Sequence, residues 1–215
     1  MTKLTMLRHN KIDLALHQLS DGDGLPLLLL HGLGERTVQV RPPWTSWAGP
    51  IYGLDFTGHG KSSLPRGGGY SAEVLMSDVD AALAEIGPAT VVGRGLGAYV
   101  GLLVAGARPG LVMGVVVADG PGLVGGGPGP GSSSWFQPGV RDVDGPDPFA
   151  LHEMAHDIRP PDYATGFVHL LMANSALDSP VMVTAKNRPP WLEAVAREPG
   201  VVVTTAAGAM TLLSR

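Results

Sequence analysis

Short apolar runs, most of them bounded by glycine, proline or a charged residue, recur along the chain. Such runs are typical of strands that are buried on both faces of a parallel sheet. They predict strands over residues 25–30, 51–55, 90–93, 111–118, 181–185 and 201–205. Ahead of them, residues 6–9 and 12–19 predict a pair of short strands, with Asn10 and Lys11 as the turn between them.

Apolar residues at spacings of three and four predict helices between these strands. Ser71 is a suitable N-cap for a helix that runs to Ile86, where Gly87-Pro88 stops it. Another apolar helix follows the central strand and ends near Arg108. Further helices are predicted over residues 41–49, 147–156, 163–174, 191–196 and 206–213.

The alternation of strands and helices predicts an α/β fold, with a mainly parallel central sheet and helices on both faces. The length suits one domain over residues 1–215. Within it, residues 119–148 are dominated by glycine and proline and are predicted to be irregular, and the helices within residues 147–174 to form a lid-like region. Trp44 and Trp47 lie at helical spacing and are expected to pack on the sheet.

The composition excludes several classes of function. Hydrophobic residues make up 44 % and charged residues 16 %, so most of the chain is expected to fold. The net charge of −4 offers no basic face to nucleic acid. The absence of cysteine excludes disulfides, thiolate metal sites and a cysteine nucleophile. No apolar run reaches the ~20 residues of a membrane span and residues 1–10 lack a signal-peptide pattern, so a cytoplasmic protein without membrane contact is expected.

Four stretches between residues 25 and 122 carry motifs in a fixed order. They are a strand that ends in His31-Gly32, the turn D-F-T-G-H-G-K-S at residues 55–62, a strand, glycine-rich turn and helix over residues 90–99, and a strand that ends at Asp119. In order and spacing these stretches resemble the α/β-hydrolases. The resemblance implies the α/β-hydrolase fold, an oxyanion loop after the first motif and a nucleophile elbow, G-x-S-x-G, at residues 93–97.

The resemblance also implies a serine, a histidine and a carboxylate that act together. Gly95 stands in place of the elbow serine and has no side chain that could attack. The acid is expected after the penultimate strand, where residues 186–189 contain no carboxylate, and the histidine after the last strand, where Ala209 stands. Asp119 could be an acid in a variant position, but without serine and histidine it would orient nothing. No catalytic residue is therefore assigned.

A site for a carbonyl or carboxylate group is what could remain. The resemblance implies that the N–H groups of Leu33 and Leu96 point into a pocket at the positive end of the elbow helix. The residues predicted to bind a ligand are His31, Gly32, Leu33, Arg94, Gly95, Leu96 and Asp119. The principal role of His31 is expected to be structural, and His59 and Ser62 are expected to brace their turn. No cofactor and no metal ion is predicted.

Three functions follow as hypotheses. The leading one is a non-hydrolytic small-molecule pocket, in a binding protein or in a cofactor-free enzyme of another type. The second is a structural or partner-binding protein, for which Trp135 and Phe136 could serve either as a lid or as a hook for a partner. The third is hydrolysis of small esters by non-standard residues. The sequence predicts neither the ligand nor the oligomeric state.

The elbow stretch also fits a dinucleotide-binding pattern. Gly93, Gly95 and Ala98 match G-x-G-x-x-A, and Asp119 lies 21 residues after Ala98, where such a site needs an acid for the ribose. That pattern normally opens the first strand–helix–strand unit, whereas several elements precede it here. The dinucleotide hypothesis is therefore the weaker one.

Residues 152–156 spell H-E-x-x-H, a motif in which two histidines bind zinc and the glutamate acts as a base. On the predicted helix His152 and His156 flank the apolar stripe, and Glu153 lies opposite it. No clear third ligand follows. A lid helix with solvated polar residues is therefore the favoured interpretation of the motif.

Overall fold

A computed structural model describes residues 3–123, 145–155 and 159–214. In these ranges the chain forms one eight-stranded sheet with the order β1-β2-β4-β3-β5-β6-β7-β8. The strands are β1 (Lys3–His9), β2 (Ile12–Ser20), β3 (Leu27–Leu30), β4 (Ile51–Leu54), β5 (Ala89–Arg94), β6 (Val112–Ala118), β7 (Val181–Val183) and β8 (Val202–Val203).

The sheet is antiparallel at one edge and parallel over the rest. β1 and β2 form a hairpin whose turn holds Asn10 at a φ of 53°, and β2 pairs with β4 in antiparallel register. From β4 to β8 all neighbours run parallel. The carboxyl ends of β3, β5 and β6 therefore lie side by side in the middle of the sheet, where α/β proteins commonly place their ligands.

Helices lie on both faces of the sheet. Those of the described ranges are α1 (Ala72–Ile86), α2 (Leu96–Ala107), α3 (Pro148–Ala155), α4 (Pro161–Asn174), α5 (Pro190–Ala196) and α6 (Ala206–Leu213). A larger core joins the sheet to α1 through α5, and a smaller core joins the opposite face to α6. Val91 belongs to the larger core and its neighbour Val92 to the smaller one, as the alternation of a strand buried on both faces requires. The predicted α/β architecture is confirmed.

The helix predicted over residues 41–49 is wrong. The segment forms turns in which the Thr45 N–H donates to the Pro42 carbonyl at 3.0 Å, and the Arg41 Nε donates to the Thr45 carbonyl at 3.1 Å. The guanidinium also binds an acceptor that a helix would have used. The local hydrogen bonds of this segment are thus incompatible with helix.

The two tryptophans of this segment have different environments. Trp47 packs into the smaller core and donates its indole N–H to the Leu25 carbonyl at 2.6 Å. Trp44 is 42 % exposed, so the expectation that both pack on the sheet holds for Trp47 alone. Since no helix covers the sheet here, Trp44 lines a cavity instead.

The glycine- and proline-rich region is only partly within the described ranges. Residues 119–123 and 145–147 are irregular, as predicted, and Trp135 and Phe136 lie outside the described residues. The last predicted strand, residues 201–205, is reduced to the two residues of β8. No helix in the described part of the chain has the length and apolar character needed to cross a bilayer.

The turn after β4 is fixed by buried polar side chains. The Asp55 carboxylate lies 2.9 Å from the His17 ring, and the Ser62 hydroxyl donates to the Asp55 carbonyl. The His59 Nε2 accepts from the Gly34 N–H at 3.2 Å. Burial lowers the pKa of His59 to about 3, so this ring is neutral. His59 and Ser62 therefore brace the turn, as expected.

Asp78 of α1 reaches the same turn from the larger core. Its carboxylate accepts from the Thr57 N–H at 2.8 Å and from the Thr57 hydroxyl at 2.9 Å. Burial raises the pKa of Asp78 to about 7, because desolvation outweighs these two hydrogen bonds. The folded pKa lies above the unfolded one. The contribution of Asp78 to stability is therefore complete below about pH 4 and is lost as the pH rises through about 7.

We expect the Asp78→Asn variant to gain stability relative to the unchanged protein as the pH rises from 5 to 8, because an amide has no charge to desolvate. The difference in the free energy of unfolding, measured by urea denaturation, should shift toward the variant by about 2 kcal/mol. Asp80→Asn, on a more accessible side of the same helix, controls for the loss of one negative charge. A difference that stays constant over this pH range would contradict the prediction.

Candidate functional site

The turn between β5 and α2 has the sharp strand–turn–helix form of a nucleophile elbow. Gly95 at its tip has a φ of 52°, a value that favours glycine. A side-chain carbon at Gly93 would lie 2.2 Å from the Gly97 carbonyl oxygen, and one at Gly97 would lie 2.5 Å from that of His31. These glycines let strand, turn and helix approach closely. The tip itself carries no side chain.

The N–H groups of Leu33 and Leu96 are not open to a ligand. They donate to one acceptor, the Pro121 carbonyl, at 2.9 and 3.0 Å. The chain after β6 crosses over the elbow and brings this oxygen to the place where the sequence predicts a ligand. A side-chain carbon at Gly95 would lie 2.2 Å from the same oxygen. The expectation that these two N–H groups are free for a ligand is therefore wrong. The Pro121 carbonyl can reach them because Gly95 has no side chain in its way.

His31 holds the loop after β3 with both ring nitrogens. Its Nε2 accepts from the Phe56 N–H at 3.1 Å, and its Nδ1 donates to the Gly32 carbonyl at 2.8 Å. Burial lowers the pKa of His31 below its ordinary value. The ring is therefore a neutral Nδ1–H tautomer that links the loop to the start of the turn after β4, which is the structural role expected of it.

Glu35 is a charged residue of the site that the sequence did not single out. One carboxylate oxygen accepts from the Gly32 N–H at 2.9 Å, and the other lies 2.6 Å from the Arg94 Nη1. The Arg94 Nε also donates to the Asp119 carbonyl at 3.3 Å. Arg94 is therefore fixed between two loops, although its side chain is about half exposed. The sequence signal that could have identified Glu35 is its position as the one acid next to the glycines of the loop after β3.

The Asp119 carboxylate serves the backbone. It accepts from the N–H groups of Lys186 and Asn187 at 2.8 and 2.9 Å. These bonds join the end of β6 to the loop after β7. Neither oxygen lies against a histidine in these contacts, so Asp119 caps a loop in the way that carboxylates cap turns.

A cavity of about 540 Å³ lies on the face of the sheet that carries α6. We call it the sheet cavity. Its apolar walls are Leu29, Leu30, Val38, Pro42, Trp44, Val92, Val116, Ala118, Ala206 and Met210, and its polar lining is His31, Glu35, Arg36, Thr37, Arg94 and Thr184. Of the predicted ligand-binding residues only His31 and Arg94 line it. The other five, from Gly32 to Asp119, lie outside its lining. The structure thus divides the predicted site into a closed elbow and an open cavity beside it.

The two competing motifs are explained by other contacts. Glu153 of the H-E-x-x-H sequence accepts from the N–H groups of Gly69 and Tyr70, and His156 lies outside the described residues. In the described ranges no three histidine, aspartate or glutamate side chains group as metal ligands. At the elbow, the Pro121 carbonyl lies where a dinucleotide phosphate would need the helix N-terminus.

We expect His31 to hold the Nδ1–H tautomer, because the Phe56 N–H donates to its Nε2, and to gain its second proton only below the ordinary pKa of an imidazole, because burial lowers its pKa. Two-bond ¹H–¹⁵N correlation NMR over a pH series reads both the tautomer and the charge of the ring. A His31 ring that titrates at or above the ordinary value of about 6.5, or that carries its proton on Nε2, would contradict the assignment.

Comparison with solved structures supports the fold. The thioesterase domain from the curacin biosynthetic pathway is similar over 99 % of both chains, with a TM-score of 0.68 and 14 % identity. An epoxide hydrolase of Vigna radiata is similar over 56 % of this chain and 38 % of its own, with a TM-score of 0.45 and 23 % identity. A variant of the epoxide hydrolase of Solanum tuberosum is similar over 55 % of this chain and 40 % of its own, with a TM-score of 0.46 and 22 % identity. The chain spans only about two fifths of these epoxide hydrolases.

The sequence comparison with families covers most of the chain. Residues 27–213 match the alpha/beta hydrolase family, a range that includes the elbow, most of both cores and the sheet from β3 to β8. No curated protein matches the sequence. The likeness to the thioesterase domain, at 14 % identity, is evidence for the fold alone. The chain belongs to the α/β-hydrolase family.

Proposed function

We propose that this chain is a non-hydrolytic member of its family that binds a small apolar molecule in the sheet cavity, with a carbonyl or carboxylate group of the ligand near Arg94. The observation that carries the proposal is the cavity itself, about 540 Å³ with mostly apolar walls. That volume lies within the range of pockets that enclose small organic ligands, roughly 300–1,000 Å³. The proposal keeps the ligand class predicted from sequence and moves it from the elbow to the neighbouring cavity.

The walls of the sheet cavity favour an apolar ligand. Leu29, Val92 and Val116 come from three adjacent parallel strands, and Ala206 and Met210 come from α6. A ligand in contact with these residues would remove apolar surface from water, which is the main driving force for binding in such pockets.

Arg94 is one of the two arginines that line the cavity, with Arg36. Its Nη1 and Nε are held by Glu35 and by the Asp119 carbonyl, so the guanidinium is positioned before a ligand arrives. Guanidinium groups bind carboxylates and carbonyls through several N–H donors at once. A ligand carboxylate would share Arg94 with Glu35. Because the Arg94 side chain is about half exposed, water weakens its contact with the ligand.

Three positions support the non-hydrolytic part of the proposal. Gly95 offers no nucleophile, and residues 186–189 offer no carboxylate. Ala209, at the place where the family resemblance implies a histidine, is completely buried in the smaller core. We expect no covalent labelling by a fluorophosphonate probe, read by intact-protein mass spectrometry. Stoichiometric labelling would overturn this part of the proposal.

A structural or partner-binding role is the second candidate. Val38, Val40 and Trp44 are exposed at 48, 72 and 42 %, and the first and third of them line the cavity. An apolar group at the edge of a cavity is also a feature of protein contact sites. Filling of the cavity by a small ligand distinguishes the two candidates. For the third hypothesis, atypical ester hydrolysis, an ester panel with and without chelator is the corresponding test.

The cavity is tested with 1-anilinonaphthalene-8-sulfonate, an apolar fluorophore with one anionic group. We expect Ala206→Phe, which places a ring in the cavity from α6, to weaken binding of the dye by at least about tenfold, a loss of ~1.4 kcal/mol. Ala207→Phe, on the exposed side of the same helix, is the matched control and should bind as the unchanged protein does. Equal affinity of all three proteins would contradict the sheet cavity as the site.

The ligand group near Arg94 is tested by competition with decanoate and with 1-decanol. Arg94→Gln should weaken the binding of decanoate by about fivefold, since the contact is partly exposed, and should leave the affinity for decanol unchanged. Arg108→Gln, which removes an exposed arginine at the end of α2, controls for net charge. The same loss for decanoate and decanol would show that Arg94 does not bind the head group.

A further inference from the structure

We infer that the paired N–H groups of Leu33 and Leu96 form an intramolecular carbonyl-binding site whose resident occupant is the Pro121 carbonyl, and that Gly95 is the residue that makes room for it. In this account the glycine at the elbow tip has a structural function of its own, beyond the loss of a nucleophile. The inference does not depend on the ligand proposed for the sheet cavity.

The geometry of the contact is that of a filled site. Leu33 lies in the loop after β3 and Leu96 is the first residue of α2, and their N–H groups converge on one oxygen at 2.9 and 3.0 Å. A carbonyl oxygen has two lone pairs, so two donors saturate it. Donors converging in this way from a loop and a helix N-terminus form the arrangement that stabilises an oxyanion in acyl transfer. Here the chain itself supplies the oxygen.

The segment that carries the oxygen fits against glycines. An added side-chain carbon at Gly95 would lie 2.2 Å from the Pro121 oxygen, and one at Gly32 would lie 2.6 Å from the Pro121 ring. One at Gly120 would lie 2.6 Å from the Gly95 nitrogen, and one at Gly122 would lie 2.8 Å from the Leu96 Cβ. All four distances are shorter than non-bonded contacts between heavy atoms allow. A side chain at any of these positions would displace the segment or its neighbour.

Both ends of this segment are also fixed. On one side the Asp119 carboxylate accepts from two backbone N–H groups of the loop after β7, and the Gly95 N–H donates to the Ala118 carbonyl at 3.2 Å. On the other side the Leu123 side chain is buried in the larger core. The Pro121 carbonyl is thus held in place by contacts of the residues that precede and follow it, so its position is part of the fold.

The occupied site has a consequence for ligands. A molecule in the sheet cavity contacts Arg94 and His31, which line it, but cannot use the N–H pair while Pro121 holds it. A serine introduced at Gly95 would place its Cβ on the Pro121 oxygen. Restoring the family's nucleophile would therefore disturb the segment before it produced any chemistry.

The direct test is NMR on the unchanged protein. We expect scalar couplings across the hydrogen bonds from the Leu33 and Leu96 nitrogens to the Pro121 carbonyl carbon, and slow hydrogen exchange of both amides. Gly95→Ala should speed that exchange by about tenfold or more, the order expected when a net hydrogen-bond free energy is lost. Gly67→Ala is the matched control, because Gly67 also has a positive φ, of 88°, but an added carbon meets nothing within 4 Å.

Two results would overturn the inference. One is the absence of these couplings together with fast exchange of both amides in the unchanged protein. The other is undiminished protection of both amides in Gly95→Ala. If that variant fails to fold, the couplings in the unchanged protein still decide the question. Failure of decanoate to bind would leave this inference standing, so the two proposals fail separately.

Discussion

The hydrogen bonds from Leu33 and Leu96 to the Pro121 carbonyl are the interaction on which the rest of the site depends. They use the two backbone donors that the fold brings together over the carboxyl ends of β3 and β5. A buried backbone carbonyl requires such partners, and a donor already bound cannot serve a ligand. A ligand that used these two donors would first have to displace the Pro121 carbonyl. The glycine at position 95 is what permits this arrangement in space.

The sheet cavity follows from a second constraint, on the opposite face of the sheet. The larger core is covered by α1 to α5, whereas in the described ranges the smaller core receives only α6 and Trp47 from outside the strands. The segment over residues 41–49 forms turns, so no helix covers the strands there. The sheet cavity is lined by apolar residues of the strands, of this segment and of α6, with Glu35 and Arg94 among its polar residues. The same segment therefore explains both the cavity and its exposed apolar edge.

Much of this fold could be predicted from the sequence because its strongest signals are local. Strands buried on both faces are continuous apolar runs, and Ser71 accepts from the Val74 N–H as an N-cap should. The glycines at positions 93 and 97 predicted the close elbow correctly. The helix predicted for residues 41–49 is wrong because the tryptophans there have helical spacing, whereas hydrogen bonds of the Arg41 side chain to the Thr45 carbonyl hold the segment in turns.

The site was less predictable from the sequence, since many of its hydrogen bonds are made by backbone groups. A carbonyl such as that of Pro121 leaves no residue-type signal, and the partners of Asp119 are two N–H groups far away in sequence. Only contacts between side chains of recognisable chemistry, such as Glu35 with Arg94, could have been inferred. Positions that the family resemblance marks as catalytic are therefore the ones whose roles the sequence described least well.

A crystal structure of the protein with decanoate bound is the most direct test of the account. We predict that the alkyl chain lies between Val92 and Met210 in the sheet cavity, with its carboxylate near Arg94 and the Pro121 carbonyl still on its two donors. Decanoate bound over Gly95 with Pro121 displaced from Leu33 and Leu96 would contradict the account.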